Sequence, residues 1–331
     1  MMLSILLPIY NKSENLELIL NKFLNQTNKD FELILSLNSP SEKQLNIVQN
    51  TIKSFKNKVI VVINDKNKIL SEEIIDMVNI SSGEYFIYCS EFLDFEANFV
   101  EIFLKYKQKF NTDVIEFTPK LESYFSWSPK NRIKKNKVFK SEELSKVIAY
   151  SFPLFFNKFF KKEVFLNISK NISIKTNNSK FLLNLVYKML LNIDSYVFLD
   201  QKFFVVKDVY IEKISFYTLN RNWSEIFEYM LQNRRNFTNE ILYAKMYFFE
   251  LFIPSLFGLH KQRLFKKIKK ILWKESQIDL LIEKYAKFLK KLRDIEFNKS
   301  TNNYLFENTE EAELIKLNLN KDKWKEIHKK L

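Results

Sequence analysis

The sequence predicts an α/β fold, a mainly parallel sheet flanked by helices, followed by an α-helical, basic C-terminal region. Two patterns and one asymmetry carry that prediction. Short apolar runs alternate with stretches of helical period from the start of the chain, and after about residue 220 only the helical period remains. Charge divides the same way. Of 53 Lys and Arg and 39 Asp and Glu, residues 1–130 hold 14 and 17, so the basic excess belongs to residues 131–331.

Met2 to Ile9 (MLSILLPI) is a short apolar run that suits a strand buried on both faces. Ser13 and Glu14 then precede Leu16, Ile19, Leu20 and Phe23, a cap-like start to an amphipathic helix. Phe31–Leu37 reads as the second strand, closed by the turn cluster Asn38-Ser39-Pro40-Ser41. A helix over Glu42–Phe55, a strand over Lys58–Ile63, a helix over Ser71–Asn79 and a strand over Glu84–Cys89 continue the alternation. Phe95–Phe110 is expected to be helical and Asp113–Phe117 a strand, whereas residues 122–140 show no clear period and predict a loop or hairpin. Helices are predicted over Trp223–Met230, Asn239–Phe257, Arg263–Trp273 and Ile278–Phe297. Ligands of such a sheet are expected beyond the carboxyl ends of its strands. The division expected is 1–215 for the α/β unit and 216–331 for the helical region.

Composition narrows the chemistry. Two glycines, Gly83 and Gly258, cannot write a glycine-rich dinucleotide or phosphate loop. One cysteine, Cys89, and two histidines, His260 and His328, exclude a disulfide framework and a Cys/His zinc site, and the cysteine usage predicts an intracellular protein. Cys89 ends an apolar strand and is expected in the core. No stretch of 18 apolar residues and no charged leader are present, which predicts neither a membrane span nor a secretory signal. Catalysis is therefore expected from carboxylates, amides, hydroxyls or lysines.

The opening LSILLPIYNKSENLELILNKFLNQTNKDFELIL resembles the N-terminal strand, Pro-x-Tyr-Asn turn, helix and second strand of the family 2 glycosyltransferases, which have the GT-A nucleotide-sugar fold. Gly83-Glu84-Tyr85 at the entry to strand four, and Phe156 to Glu163, similar to the Asn-Lys-Leu-Phe segment of bacterial surface-polysaccharide transferases, extend the resemblance over about residues 1–210. It implies a nucleotide held at the first turn and the end of strand two, a divalent metal (Mg or Mn) on an Asp-x-Asp after strand four, and a later Glu-Asp supplying the general base. The metal would neutralise the diphosphate leaving group, and the carboxylate would take the acceptor's hydroxyl proton.

Carried over by position, the resemblance places Pro8 and Tyr10 in the nucleotide turn and Asn38 where a strand-end aspartate pairs with uracil, with Leu37 replacing the aspartate before it. Ser90-Glu91-Phe92 stands at the Asp-x-Asp, which makes Ser90 a nucleotide contact and leaves Glu91 as one metal ligand. Asn177-Asn178 occupies the base position, where an amide cannot accept a proton near neutral pH. A shifted site on Asp94 and Glu96 could replace the metal ligands; the other reading is that Asp94 caps a helix starting near Phe95 and Glu96 complements its dipole. Lys158 could bind phosphate or the acceptor, or carry its amine out to solvent. The segment from Ser71 to Ser82 lacks the arginine and glycine usual in the family.

Lys261–Arg293 contains twelve basic and three acidic residues. Lys266, Lys267, Lys269 and Lys270 interleave with Leu264, Phe265, Ile268, Ile271 and Leu272 at helical spacing, a pattern that fits an anionic membrane surface or a helix packed on the domain with a solvated basic face. Nucleic acid is not the predicted partner, because the charge comes without a binding motif. Two functions follow. The first is a hexosyltransferase using a nucleotide sugar, UDP-linked, on a lipid or polysaccharide acceptor at the cytoplasmic membrane face. The second is a catalytically inactive relative acting as a binding or scaffolding module; the replaced carboxylates favour this one, and the retained turn and Asn157-Lys158-Phe159-Phe160 segment favour the first.

Overall fold

The computed structural model describes residues 2–10, 15–122, 126–169, 181–206, 215–233, 235–264, 272–297, 299–307 and 309–331, with 260–264 and 272–276 described as backbone only. Strands β1 (Leu3–Tyr10), β2 (Phe31–Asn38), β3 (Val59–Asn64) and β4 (Tyr85–Tyr88) alternate with helices α1 (Leu16–Leu24), α2 (Glu42–Ile52) and α3 (Leu70–Ile80). β1 pairs in parallel with β2 and β4, and β2 with β3. Then come β5 (Leu93–Phe95), α4 (Phe99–Phe110), β6 (Val114–Phe117), β7 (Lys120–Glu122), β8 (Ser126–Trp127), β9 (Val138–Lys140), α5 (Leu144–Tyr150), β10 (Lys158–Lys161), α6 (Lys162–Ser169), α7 (Leu183–Leu190), β11 (Ser195–Leu199) and β12 (Phe204–Val206). The large sheet runs β3-β2-β1-β4-β10-β6-β11-β9, and a small one runs β5-β12-β7-β8. β10 enters antiparallel between β4 and β6, so the sheet is mixed, with its parallel part at the N-terminal end.

Both faces of β1, β2 and β4 are covered, which is why these strands read as apolar runs. Leu3, Ile5, Leu7 and Ile9 of β1 pack with Leu16, Ile19, Phe23, Val48, Phe99 and Phe103 of the helices on one side. Leu6, Ile34 and Phe86 face the other side, toward Ile74, Val78 and Phe165. Each such side chain, fully buried, contributes about 1.5–3 kcal/mol.

The expected helix over Phe95–Phe110 begins only at Phe99, because Asp94 and Phe95 are drawn into β5 by pairing with Val205 and Phe204 of β12. A strand partner more than a hundred positions away has no local signature. Asp94 therefore does not cap a helix; it lies in a strand and forms an ion pair with Lys22 of α1.

The two glycines mark close approaches. A Cβ at Gly83 would lie 2.5 Å from Ser4 Oγ and 2.7 Å from Ser4 N. The space is taken by a polar knot: Glu32 Oε1 accepts from Ser4 Oγ at 2.7 Å and from the Ser82 and Gly83 amides. Gly258 lets two helices touch, since a Cβ there would lie 2.4 Å from the Trp324 carbonyl oxygen.

The C-terminal helices are α8 (Phe216–Gln232), α9 (Thr238–Met246), α10 (Ile253–Leu264), α11 (Leu272–Ile295), α12 (Glu310–Lys316) and α13 (Trp324–Lys330), with a π-helical turn at Tyr247–Phe252 before α10. They share one continuous core with the sheet: Trp223, Phe248, Phe252 and Tyr285 belong to the same buried cluster as Leu6 and Phe86. Among the described residues one helical span, Thr238–Leu259, is long and apolar enough to cross a membrane, but 94% of its 18-residue apolar window is buried inside the structure, as in a core helix. Arg132 ties the helices on. Its guanidinium donates to both carboxylate oxygens of Glu311 at 2.7 Å, to the carbonyls of Ala149, Tyr150 and Ser151, and lies 3.4 Å from the Tyr247 ring centre.

Candidate nucleotide site

The parallel register sets Tyr10 beside Asn38 and Asn38 beside Asn64, a row of polar residues at the carboxyl ends of β1, β2 and β3. Order reverses around β1, whose neighbours β2 and β4 are reached by connections on opposite sides, the position where open α/β sheets form a ligand crevice. Glu73, one turn into α3, closes the row from above. The Tyr10 hydroxyl donates to Glu73 Oε2 at 2.8 Å, and Asn38 Nδ2 donates to Glu73 Oε1 at 2.5 Å. Asn38 Nδ2 also donates to the Ile9 carbonyl at 3.4 Å, and its Oδ1 accepts from Asn64 Nδ2 and the Lys68 amide, both at 3.3 Å. Gln44 Nε2 fixes the turn by donating to the Tyr10 carbonyl at 3.1 Å.

This geometry changes what each residue can do. A carboxamide offers two N–H donors and an oxygen with two acceptor positions, and all four of Asn38's are met within the protein. Asn38 is a scaffold residue here and has no hydrogen-bonding capacity left for uracil. Pro8 shares the end of β1, paired with Ser36 of β2. Glu73 is buried, and burial raises its carboxyl above the ordinary range, against hydrogen bonds from Ser36, Asn38 and Tyr10 that favour the anion. Burial first, and then the nearby Glu73 charge, raise the phenols of Tyr10 and Tyr88. Glu73 was not among the residues singled out from the sequence. The signal was its place on the apolar stripe Leu70, Ile74, Met77 of α3, where a polar residue must find partners or remain unsatisfied.

Ser90 and Glu91 follow β4, and the Ser90 carbonyl accepts from the Leu93 amide at 3.0 Å. Burial first, then the Glu73, Cys89 and Glu91 charges, raise the Tyr88 phenol. The shifted pair lies elsewhere. Asp94 is neutralised by Lys22, Phe95 beside it packs 4.8 Å from Phe23 of α1, and Glu96 is exposed. Manganese and magnesium prefer near-octahedral oxygen sets, and among the described residues no group of three Asp, Glu, His or Cys side chains could supply one. The described residues therefore do not compose the expected metal site.

Lys158 reaches neither solvent nor ligand. It is fully buried, donating to the carbonyls of Phe152 and Leu154 at 2.6 and 2.8 Å and to Asn157 Oδ1 at 3.0 Å, with Glu116 Oε1 at 3.4 Å. Burial lowers its ammonium to about 8 against the pull of Glu116. Cys89 is buried as expected. Asn177, Asn178, Lys266, Lys267, Lys269 and Lys270 lie outside the residues whose side chains are described.

Comparison with known proteins fits this architecture. The family model "Glycosyl transferase family 2" matches residues 4–168. The uncharacterized glycosyltransferase MJ1057 of Methanocaldococcus jannaschii is 24% identical over 281 residues, 76% of this chain and 87% of that protein. Among solved structures, S. aureus TarS 1–349 in complex with UDP superposes with a TM-score of 0.62 at 14% identity, over 82% of this chain and 77% of that one. The complex of the same fragment with UDP-GlcNAc gives 0.55 at 13% identity, over 95% and 78%. A longer TarS chain is covered only to 40% of its length, with 70% of this chain aligned. The mannosyltransferase PcManGT from Pyrobaculum calidifontis, solved with GDP-Man and Mn2+, gives 0.50 at 10% identity, over 86% and 82%.

Proposed function

The chain belongs to the family 2 glycosyltransferases, and from that premise we propose that it binds a nucleoside diphosphate sugar across the carboxyl ends of β1–β4 and transfers the hexose to a lipid-linked or polysaccharide acceptor. The observation that carries this reading is the in-register row Tyr10, Asn38, Asn64 beside the switch point, braced by a buried carboxylate. The family resemblance and the fold shared with structures that hold UDP, UDP-GlcNAc and GDP-Man support a nucleotide-sugar donor. Residues 1–215 are the transferase unit in this reading, and 216–331 the attached helical region. The basic segment around Lys266, Lys267, Lys269 and Lys270 would hold the protein on the inner, anionic face of the membrane, where such an acceptor resides.

Titration calorimetry with UDP, GDP and their hexose conjugates, with and without manganese, tests the donor. Saturable binding is expected, followed by release of the free nucleoside diphosphate when acceptor is supplied. Binding without turnover under any acceptor would replace the enzyme by the binding-module reading, and no nucleotide binding would remove both. Co-sedimentation with vesicles of anionic phospholipid is expected to fall when Lys266, Lys267, Lys269 and Lys270 are neutralised; unchanged pelleting overturns the membrane assignment.

A further inference from the structure

Beside the row at the strand ends, a cavity of about 280 Å3 opens between α3 and the edge strand β3. Val62, Met77 and Ile80 give it an apolar side, and Ser36, Asn64 and Glu73 a polar end. An apolar wall with a few convergent polar groups is the usual form of a site for a flat heteroaromatic ring. The cavity lies three strands from β4, about 14 Å at the usual 4.7–4.9 Å spacing. A nucleotide laid along the carboxyl edge, with its phosphates at the switch point, would bring its base here.

The hydrogen-bond inventory says which group reads that base. Asn38 is saturated. Asn64 uses its NH2 on Ser36 Oγ at 3.0 Å and on Asn38 Oδ1. Lys68 and Asp76, which also line the cavity, pair with each other at 2.8 Å, and the Asp76 side chain is 55% exposed. Glu73 is the buried carboxylate among them. It accepts from Asn38 at Oε1, from the Tyr10 hydroxyl at Oε2 and from the Ser36 hydroxyl, three donors for the four acceptor positions of a carboxylate. One acceptor position on a buried anion therefore remains at the cavity.

We propose that Glu73 is the specificity-determining residue of the donor site, selecting a base that carries a ring N–H, uracil or guanine, against cytosine and adenine. This rests on the nucleotide reading above and adds to it the group that discriminates. Uracil N3 and guanine N1 carry a hydrogen that the carboxylate can accept. The same ring positions of cytosine and adenine are bare acceptors, and two acceptors facing each other in a dry site leave both unpaired. Asn38 then acts as the brace that holds Glu73.

The test is a set of calorimetric titrations of the full chain with UDP against CDP and GDP against ADP. Wild type is expected to hold UDP or GDP at least about tenfold more tightly than its partner lacking the ring N–H, the lower range for one well-placed polar contact to a base edge. Glu73→Gln, close in shape, is expected to close that gap. Because Asn38 Nδ2 lies 2.5 Å from Glu73 Oε1, the exchange Asn38→Asp/Glu73→Gln keeps their hydrogen bond with its direction reversed and returns a carboxylate to the site. It is expected to restore part of the discrimination, which a merely structural role for Glu73 would not do. Equal binding of UDP and CDP and of GDP and ADP by the wild type overturns the proposal and leaves the nucleotide reading intact, with no variant needed. Undiminished discrimination in Glu73→Gln also overturns it. No binding of any nucleotide sinks the nucleotide reading and this proposal with it.

Discussion

Lys158→Met removes a cation from a place with no water to replace it. Lys158 and Glu116 are each 0% exposed, and the ammonium satisfies two backbone carbonyls, Phe152 and Leu154, besides the carboxylate. Glu116 keeps other donors when Lys158 is gone: Ser151 Oγ at 2.5 Å, the Phe152 amide at 2.9 Å, Asn157 Nδ2 at 3.2 Å and Tyr196 OH at 2.7 Å. The loss is therefore smaller than for an isolated buried charge. It still includes an uncompensated anion and two orphaned carbonyls, together about 3–5 kcal/mol. With an unfolding entropy of about 2.1 cal/mol/K per residue, near 0.7 kcal/mol/K for this chain, the melting temperature should fall by about 4–7 °C. Urea unfolding followed by the fluorescence of the four tryptophans gives the free energy directly. The double variant Lys158→Met/Glu116→Gln should recover part of the loss, because the remaining partner is then neutral. A loss under about 1 kcal/mol for the single variant, or strictly additive losses for the pair, would refute the reasoning. The pH dependence provides a sign check. Burial lowers the folded ammonium to about 8 against a reference of 10.5, so the unfolded chain binds more protons between these values. Stability from this group should rise with pH across that window, and the rise should vanish in Lys158→Met.

Three further outcomes are expected. Gly83→Ala drives a methyl to within 2.5 Å of Ser4 Oγ and 2.9 Å of the Leu3 carbonyl carbon, an overpacking that should cost about 1–3 kcal/mol in chemical denaturation; a neutral result would mean the turn can move. Glu32 is raised by burial but lowered overall by bonds from Ser4, Ser82, Lys58 and Gly83, so its folded carboxyl titrates below the unfolded one. Its stabilisation is complete above the reference value of 4.5 and fades as pH falls through the folded value, so Glu32→Gln should flatten the acid limb of stability against pH. Arg132→Lys keeps the charge but loses the two-pronged bond to Glu311, and should expose the C-terminal helices to limited proteolysis at about 2–4 kcal/mol lower stability; an unchanged cleavage pattern would count against the clamp.

Local periodicity was enough for the elements that begin this chain. β1, β2 and β3 lie within one residue of the runs read from the sequence at both ends: β1 and β2 are buried on both faces and so mainly apolar, and the edge strand β3 carries the same apolar run half-buried. Asp94 marks where that reading fails: an acid before an apolar stretch resembles a helix cap, yet β12 claims it for a strand. Lys158 fails for the opposite reason. A lysine among phenylalanines is ordinarily a surface residue, and here a carboxylate on the neighbouring strand and two turn carbonyls make the interior affordable.

What the sequence determined by itself was the order of strands and helices, the scarcity of glycine and histidine that excluded whole chemistries, and the family whose motifs it carries. What only the tertiary structure decided was which polar groups meet. Asn38 and Glu73 are 35 positions apart, Tyr10 and Glu73 are 63 apart, and Arg132 and Glu311 are 179 apart. Hydrophobic pattern fixes which face of each element turns inward, since that depends on neighbours a few residues away. Whether a buried carboxylate is spent on a scaffold or kept for a ligand depends on where the chain returns, and that is set by how the elements pack.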